Sequence, residues 1–364
     1  MWKLLLLVSL WVGAMEGLTL SNGMHVIVKT EKGDKLITGQ LVAQGGYAHF
    51  SDPLAARIAP QLVMESGLGE KASDPFWSDL YEHGIDFWIE SDPFSRSIWF
   101  ECPPEELTFA LRITASAFQP PRIDPEALKR LSEKGGYKDT FFPFSYWLSG
   151  EDPLLAPLPS EKISHMDLKQ AALFYAEAFG NSTDFTLIVA GNIDPSILTQ
   201  ALEQTIGKIA PKEKKFAPFP LQLKPRLLHR NHVTPEKEEE AVLTLAFPIS
   251  ESLKPLDALV IDATNFAIQS HLKRKGFLAA EVGLHLPYYP LSDHGWVVVT
   301  IFSLEKEKLL QTLQLLKKEG LTSEDVAGAK SEQAAQTEGW QSRSDYWRSQ
   351  LAHRVLLGET NPET

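Results

Sequence analysis

The sequence contains one cysteine, Cys102, so no internal disulfide can form and stability has to come from a buried core. Flanked by apolar residues at the end of a predicted strand, Cys102 itself reads as a small core residue. Past the first dozen residues no apolar run reaches the length of a membrane span. Positive charge is also short. Lys and Arg total 35 against 47 Asp and Glu, a net charge of -12, which argues against nucleic acid as a partner because phosphate neutralisation needs clustered cations. The nearest basic run, Lys212-Glu213-Lys214-Lys215, lies in a proline-rich stretch that reads as a solvated connector. No G-x-S-x-G elbow, phosphate-cradling loop or dinucleotide fingerprint is present. Glu65-Ser66-Gly67 reads as a helix end, and the adjacent Glu151-Asp152 as a solvent-facing loop pair. The histidines are scattered. His229-x-x-His232 falls outside any predicted helix, and His271 has no second histidine three or four residues away.

What the sequence does contain is a segment order that occurs twice. A hydrophobic content of 43% with 23% charged residues describes a globular chain, and 364 residues exceed what one core usually supports. The first copy runs from a strand pattern, Lys35 to Gly46, into a helix, Pro53 to Gly69. Two further strands follow, Ile85 to Ser91 and Ser95 to Cys102, then a helix from Pro104 to Phe118 and another opened by Asp124-Pro125-Glu126. The second copy has a strand from Glu240 to Ile249, a long helix from Leu256 to Lys275, and strands at Ala280 to Leu286 and Gly295 to Phe302. It then has a helix from Glu305 to Glu319 and another opened by Thr322-Ser323-Glu324. Both copies end alike, in Tyr146-Trp147-Leu148-Ser149 and Tyr346-Trp347-Arg348-Ser349. A repeat of this period points to duplicated domains, since each unit is large enough to bury its own core.

Met1-Trp2-Lys3, the apolar run Leu4 to Val12 and the small residues Gly13-Ala14 describe a secretory signal peptide, here bounded at 1–17. A first domain is expected over 18–209, a proline-rich linker over 210–225, and a second domain over 226–364. The first domain carries one further unit. It consists of a helix opened by Asp167, a buried strand from Phe185 to Asp194, and a helix started by Pro195. The second copy stops at Thr364 before any equivalent strand, so either it is genuinely short with a sheet edge to be covered, or the sequence is truncated.

Leu20-Ser21-Asn22-Gly23-Met24-His25-Val26-Ile27 resembles the opening strand of the pitrilysin/insulinase family of zinc metallopeptidases. Val189-Ala190-Gly191-Asn192-Ile193-Asp194-Pro195 resembles a later strand and turn of that family, and Phe174-Tyr175 with Phe179-Gly180-Asn181 the helix before it. The similarity extends over nearly the whole mature chain. Through Glu65-Ser66-Gly67-Leu68-Gly69 and Ser145-Tyr146-Trp147 it points to the C-terminal half of the long two-lobed bacterial members. The implied fold class is α+β, with two homologous domains, each a mostly antiparallel mixed sheet with helices packed on one face.

Active members of that family carry His-x-x-Glu-His on the first long helix, where two imidazoles bind zinc and the glutamate serves as general base. The matching residues here are Ala59, Pro60, Gln61, Leu62 and Val63, none of which can bind zinc. The resemblance therefore implies a chain without catalytic or metal-binding residues of its own, with zinc expected only in a catalytic partner. The family's last domain also supplies an arginine and a tyrosine that touch substrate. Lys273, Arg274, Tyr288 and Tyr289 are the residues here nearest to that role, although Ala280 stands about where the tyrosine belongs. The same basic turn also reads as an ordinary complement to a helix dipole. The expected protein is periplasmic and non-catalytic, and pairs with a zinc-bearing relative around a peptide substrate. The alternative is a stand-alone scaffold or peptide-binding protein.

Overall fold

A computed structural model of the chain describes residues 15–133, 146–156, 158, 160–212, 243–248, 255–277, 280–285, 295–301, 306–341 and 343–358. Most of the expected signal peptide, most of the expected linker, His229, His232, Tyr288 and Tyr289 lie outside the described residues. Two compact units are distinguished. One comprises Met1–Gly136, Leu158–Leu221 and Gln341–Thr364, and the other Tyr137–Pro157 and Gln222–Trp340.

The first unit starts with a hairpin of β1 (Met15–Thr19) and β2 (His25–Thr30). Its turn uses Gly23 at φ 90°, a left-handed conformation that glycine adopts without strain. Beside it the Asn22 carboxamide accepts from Met24 N at 3.1 Å and donates to Ile206 O at 2.9 Å. That explains the Asn-Gly pair in chemical terms. One residue makes the turn, and the other ties it to a distant loop. The remaining strands are β3 (Ile37–Gln44), β4 (Asp86–Ser91), β5 (Ser95–Cys102) and β6 (Thr186–Gly191). They form a mixed sheet in the order β1-β2-β6-β3-β5-β4, with β2 and β6 parallel and every other pair antiparallel. At the end of β6, Gly191 passes so close to β3 that a Cβ would lie 2.8 Å from Leu36 O.

Among the described residues, seven α-helices of this unit follow in chain order up to residue 204. They are α1 (Pro53–Ser66), α2 (Ser73–Glu82), α3 (Leu107–Ser116), α4 (Pro125–Glu133), α5 (Ser160–Ser164), α6 (Leu168–Ala178) and α7 (Pro195–Gln204). Their starts are written in the sequence. The Asp52, Asp167 and Asp194 carboxylates accept from backbone N–H groups of the first turns of α1, α6 and α7, and Pro53 and Pro195 occupy the first helical positions. α1 packs on α6 and β4, and α3 on β5. Buried Arg96 on β5 donates to Gln44 O at 3.0 Å and to Ala178 O, tying strand to helix. Burial lowers its guanidinium to about 10, partly offset by Asp184.

In the second unit β7 (Leu243–Pro248) leads to α8 (Pro255–Arg274), β8 (Glu281–His285), β9 (Trp296–Ile301), α9 (Lys306–Glu319) and α10 (Ser323–Gln341). Its sheet runs β7-β9-β8, all antiparallel, repeating the order β3-β5-β4 in the first unit. Leu272, Phe277, Ala280, Val299, Ile301 and Leu309 form its core. Ala280, standing where the family tyrosine was sought, is thus a core residue.

The compact units do not follow the expected boundaries, and helices lie on both faces of the first sheet. Met15 to Gly17, inside the expected bound of 1–17, pair with Ile27 to Lys29 of β2 in the full chain. The last helix, α11 (Ser344–Leu356), belongs to the first unit, not to a domain spanning 226–364. It packs on β3 and β6, so helices cover both faces of the first sheet rather than one. The physical reason is that the central strands are apolar on both sides. Ile27, Val42 and Ile188 would be exposed on the second face, and Leu351 and Ala352 of α11 cover them. Conversely, Tyr137–Pro157, with the matching Tyr146-Trp147, clusters with the second unit.

Candidate functional site

The residues singled out by the sequence lie in two places, the middle of α1 and the end of α8. On α1, Ala59, Leu62 and Val63 are at most 1% exposed and Pro60 is also buried, so only Gln61 of the five motif positions has appreciable access to solvent. This stretch is a core face of carbon atoms. Its donor set does not fit zinc, which requires imidazole, thiolate or carboxylate ligands. Among the described residues no group of three or more His, Cys, Asp and Glu side chains could hold a metal ion.

At the end of α8, the exposed Arg274 folds back along the start of α10. Its guanidinium donates to Asp325 and Glu324, and at 3.2 Å to Thr322 Oγ1. His271, one turn earlier and buried, places Nδ1 3.2 Å from both Asp325 oxygens. Asp325 is also half of a capping box at the start of α10. Thr322 N and Oγ1 each donate to Asp325 Oδ2 at 2.7 Å, while Asp325 N donates to Thr322 Oγ1 at 3.1 Å. Burial pushes the Asp325 carboxyl up, but the bonds from Thr322, Arg274 and His271 outweigh it and hold it well below the usual carboxylate range. Gly328, one turn on, lets α10 approach α8, since a Cβ there would collide with Ser270 Oγ.

Of the residues expected to touch a peptide, Arg274 is therefore engaged by an internal carboxylate, and Lys273 is half-buried beside it with interactions of its own. Asp325 escaped sequence reasoning. Its local signal, Thr322 three residues before an acidic side chain, marks a helix start but does not reveal partners 51 and 54 residues away. Among the described residues, no helix is long and apolar enough to cross a membrane.

Residues 165–333, from just before α6 into α10, match the family model of the peptidase M16 inactive domain. No curated protein matches the sequence. Among solved structures, the periplasmic protease PqqL from Escherichia coli is similar with a TM-score of 0.70 and 16% identity, over 96% of this chain and 42% of that one. A peptidase M16 inactive domain from Pseudomonas fluorescens is similar with a TM-score of 0.70 and 14% identity, over 95% of this chain and 88% of that one. Pitrilysin is similar with a TM-score of 0.63 and 15% identity, over 94% of this chain and 40% of that one. The chain thus spans less than half the length of PqqL and of pitrilysin. At these identities the structural likeness is one of fold. Together with the inactive-domain match, it bears out the resemblance to the pitrilysin/insulinase family.

Proposed function

We propose that this M16-like chain is a non-catalytic subunit that pairs with a zinc-bearing relative, supplying the second half of a peptide-degrading or peptide-processing chamber. The observation that carries this reading is the match of residues 165–333 to a domain described as inactive, in a chain whose first long helix has carbon side chains where zinc ligands would stand. The length relation supports it, since the chain corresponds to less than half of PqqL or pitrilysin and to most of a separate inactive domain. Peptidase activity then belongs to the complex, with zinc held by the partner. Lys273, Arg274, Tyr288 and Tyr289 touch peptide only within this reading. The two units are read as copies of one domain, on the repeated strand order and the repeated sequence of elements. A periplasmic location is part of the proposal, supported by the basic and apolar start of the sequence and by the description of PqqL as periplasmic.

A second reading, a scaffold or peptide-binding protein without a catalytic partner, is favoured by the bonds that engage the Arg274 guanidinium with Asp325 and Glu324. Native mass spectrometry of the chain isolated gently from its own cell envelope, with metal analysis, separates the two. A stoichiometric complex with a zinc-loaded relative is the expected result. The chain alone, or bound to unrelated proteins, would favour the scaffold, and chelator-sensitive peptide hydrolysis by the purified chain would overturn both.

A further inference from the structure

The helix α11 is short, and a 13-residue helix is marginal in water unless something docks it. Its own N-cap residue, Arg343, makes no capping bond from its side chain. The missing cap comes from the sheet instead, where Asp34 Oδ2, just ahead of β3, accepts from Ser344 N at 2.7 Å. The other end is held from the same strand, with Gln44 Nε2 donating to Leu356 O at 2.9 Å. Between the ends, Arg348 Nη1 donates to Gln40 Oε1 at 2.8 Å and lies 5.8 Å from the Trp99 ring. Fully buried Lys29 sits 4.5 Å from the Trp347 ring centroid and 3.0 Å from Glu31. Only Leu351 and Ala352 of the helix are fully buried apolar side chains, while Val355 and Leu356 pack in part.

The opposite face of the sheet has a different character. There α1 alone buries Ile58, Ala59, Leu62, Val63 and Met64, and α6 buries Phe174 and Tyr175. The helix on the second face is thus held by a narrow apolar strip and by polar contacts that work only in one register, with both of its ends read by residues bordering β3.

We propose that α11 is a reversible latch. It docks and folds in one step on a cradle formed by Asp34, Gln40, Gln44 and Lys29, and it undocks and melts as a separate cooperative unit while the sheet beneath stays intact. Undocking uncovers Ile27, Val42 and Ile188. Elements with few buried apolar contacts open at lower free energy than core strands, which gives the latch its own opening equilibrium.

Hydrogen exchange read by mass spectrometry on the full chain tests this. Amides of 344–356 should exchange at least about 10-fold faster than those of β6. Asp34→Ala, which removes the acceptor for Ser344 N, and Gln44→Ala, which removes the opposite end contact, should each raise exchange in 344–356 by about 5-fold, the scale of a lost helix cap, without changing β6. The proposal is overturned if 344–356 exchanges in step with β6 in the unaltered chain, or if both substitutions accelerate helix and strand equally.

Discussion

At the end of α8, Arg274 pairs from the surface with Asp325, a buried carboxylate that the Thr322 backbone and hydroxyl already hold in place. A cationic side chain in the last turn of a helix satisfies the helix dipole wherever it points, so sequence alone leaves surface, substrate and interior roles open. A carboxylate placed 51 residues later settles the direction. The consequence for stability has a definite sign. Because the folded Asp325 carboxyl lies below its unfolded value, its contribution is complete above the unfolded pKa of about 4 and is lost as pH falls through the folded value. Asp325→Asn should therefore cost about 1.5 kcal/mol near neutral pH, the scale of losing charge-assisted hydrogen bonds to a carboxylate whose cationic partner is exposed. It should also flatten the fall in stability below about pH 4. Thermal melts of both proteins between pH 2 and pH 7 check this, and parallel pH profiles would refute it.

The elements themselves were largely legible. β5 spans Ser95–Cys102 as expected, and α1 starts at Pro53 behind its Asp52 cap. By contrast, α2 left little trace, because only Phe76 and Leu80 of its ten residues are buried, one i,i+4 pair being too short a stripe to register as a period. Pro60, which should weaken α1 locally, instead lies buried within a continuous helix, where packing outweighs the missing N–H. The same packing makes the motif positions intolerant. Leu62→Glu, which restores the glutamate of the metallopeptidase motif in type, places a carboxylate at a site with no exposure and should destabilise the first unit by more than about 3 kcal/mol. Chemical denaturation of the variant measures this. A wild-type midpoint would mean that α1 turns this face to solvent.

Over the whole molecule, the chain passes between its units four times, at residues 136, 157, 221 and 340. A cut at the proline-rich stretch therefore does not yield a complete first unit. A fragment of residues 15–212 should bind a hydrophobic dye and melt earlier than the same fragment supplied with a 341–364 peptide, since covering Ile27, Val42 and Ile188 with Leu351 contributes about 2 kcal/mol. Equal melting with and without the peptide would show that the second face needs no cover. The order of most strands and helices, the starts at Asp167 and Pro195 and the carbon-lined first helix were determined by sequence, because each depends on residues within about one turn of helix or one strand. Leu20 to Ile27, read as one strand, instead holds the turn at Asn22-Gly23. The pairing of Arg274 with Asp325, the burial of Ala280 and the docking of the last helix on the first sheet were decided only by tertiary structure. Each is a contact between residues far apart in the chain, and local patterning says that a face must be covered without saying by what.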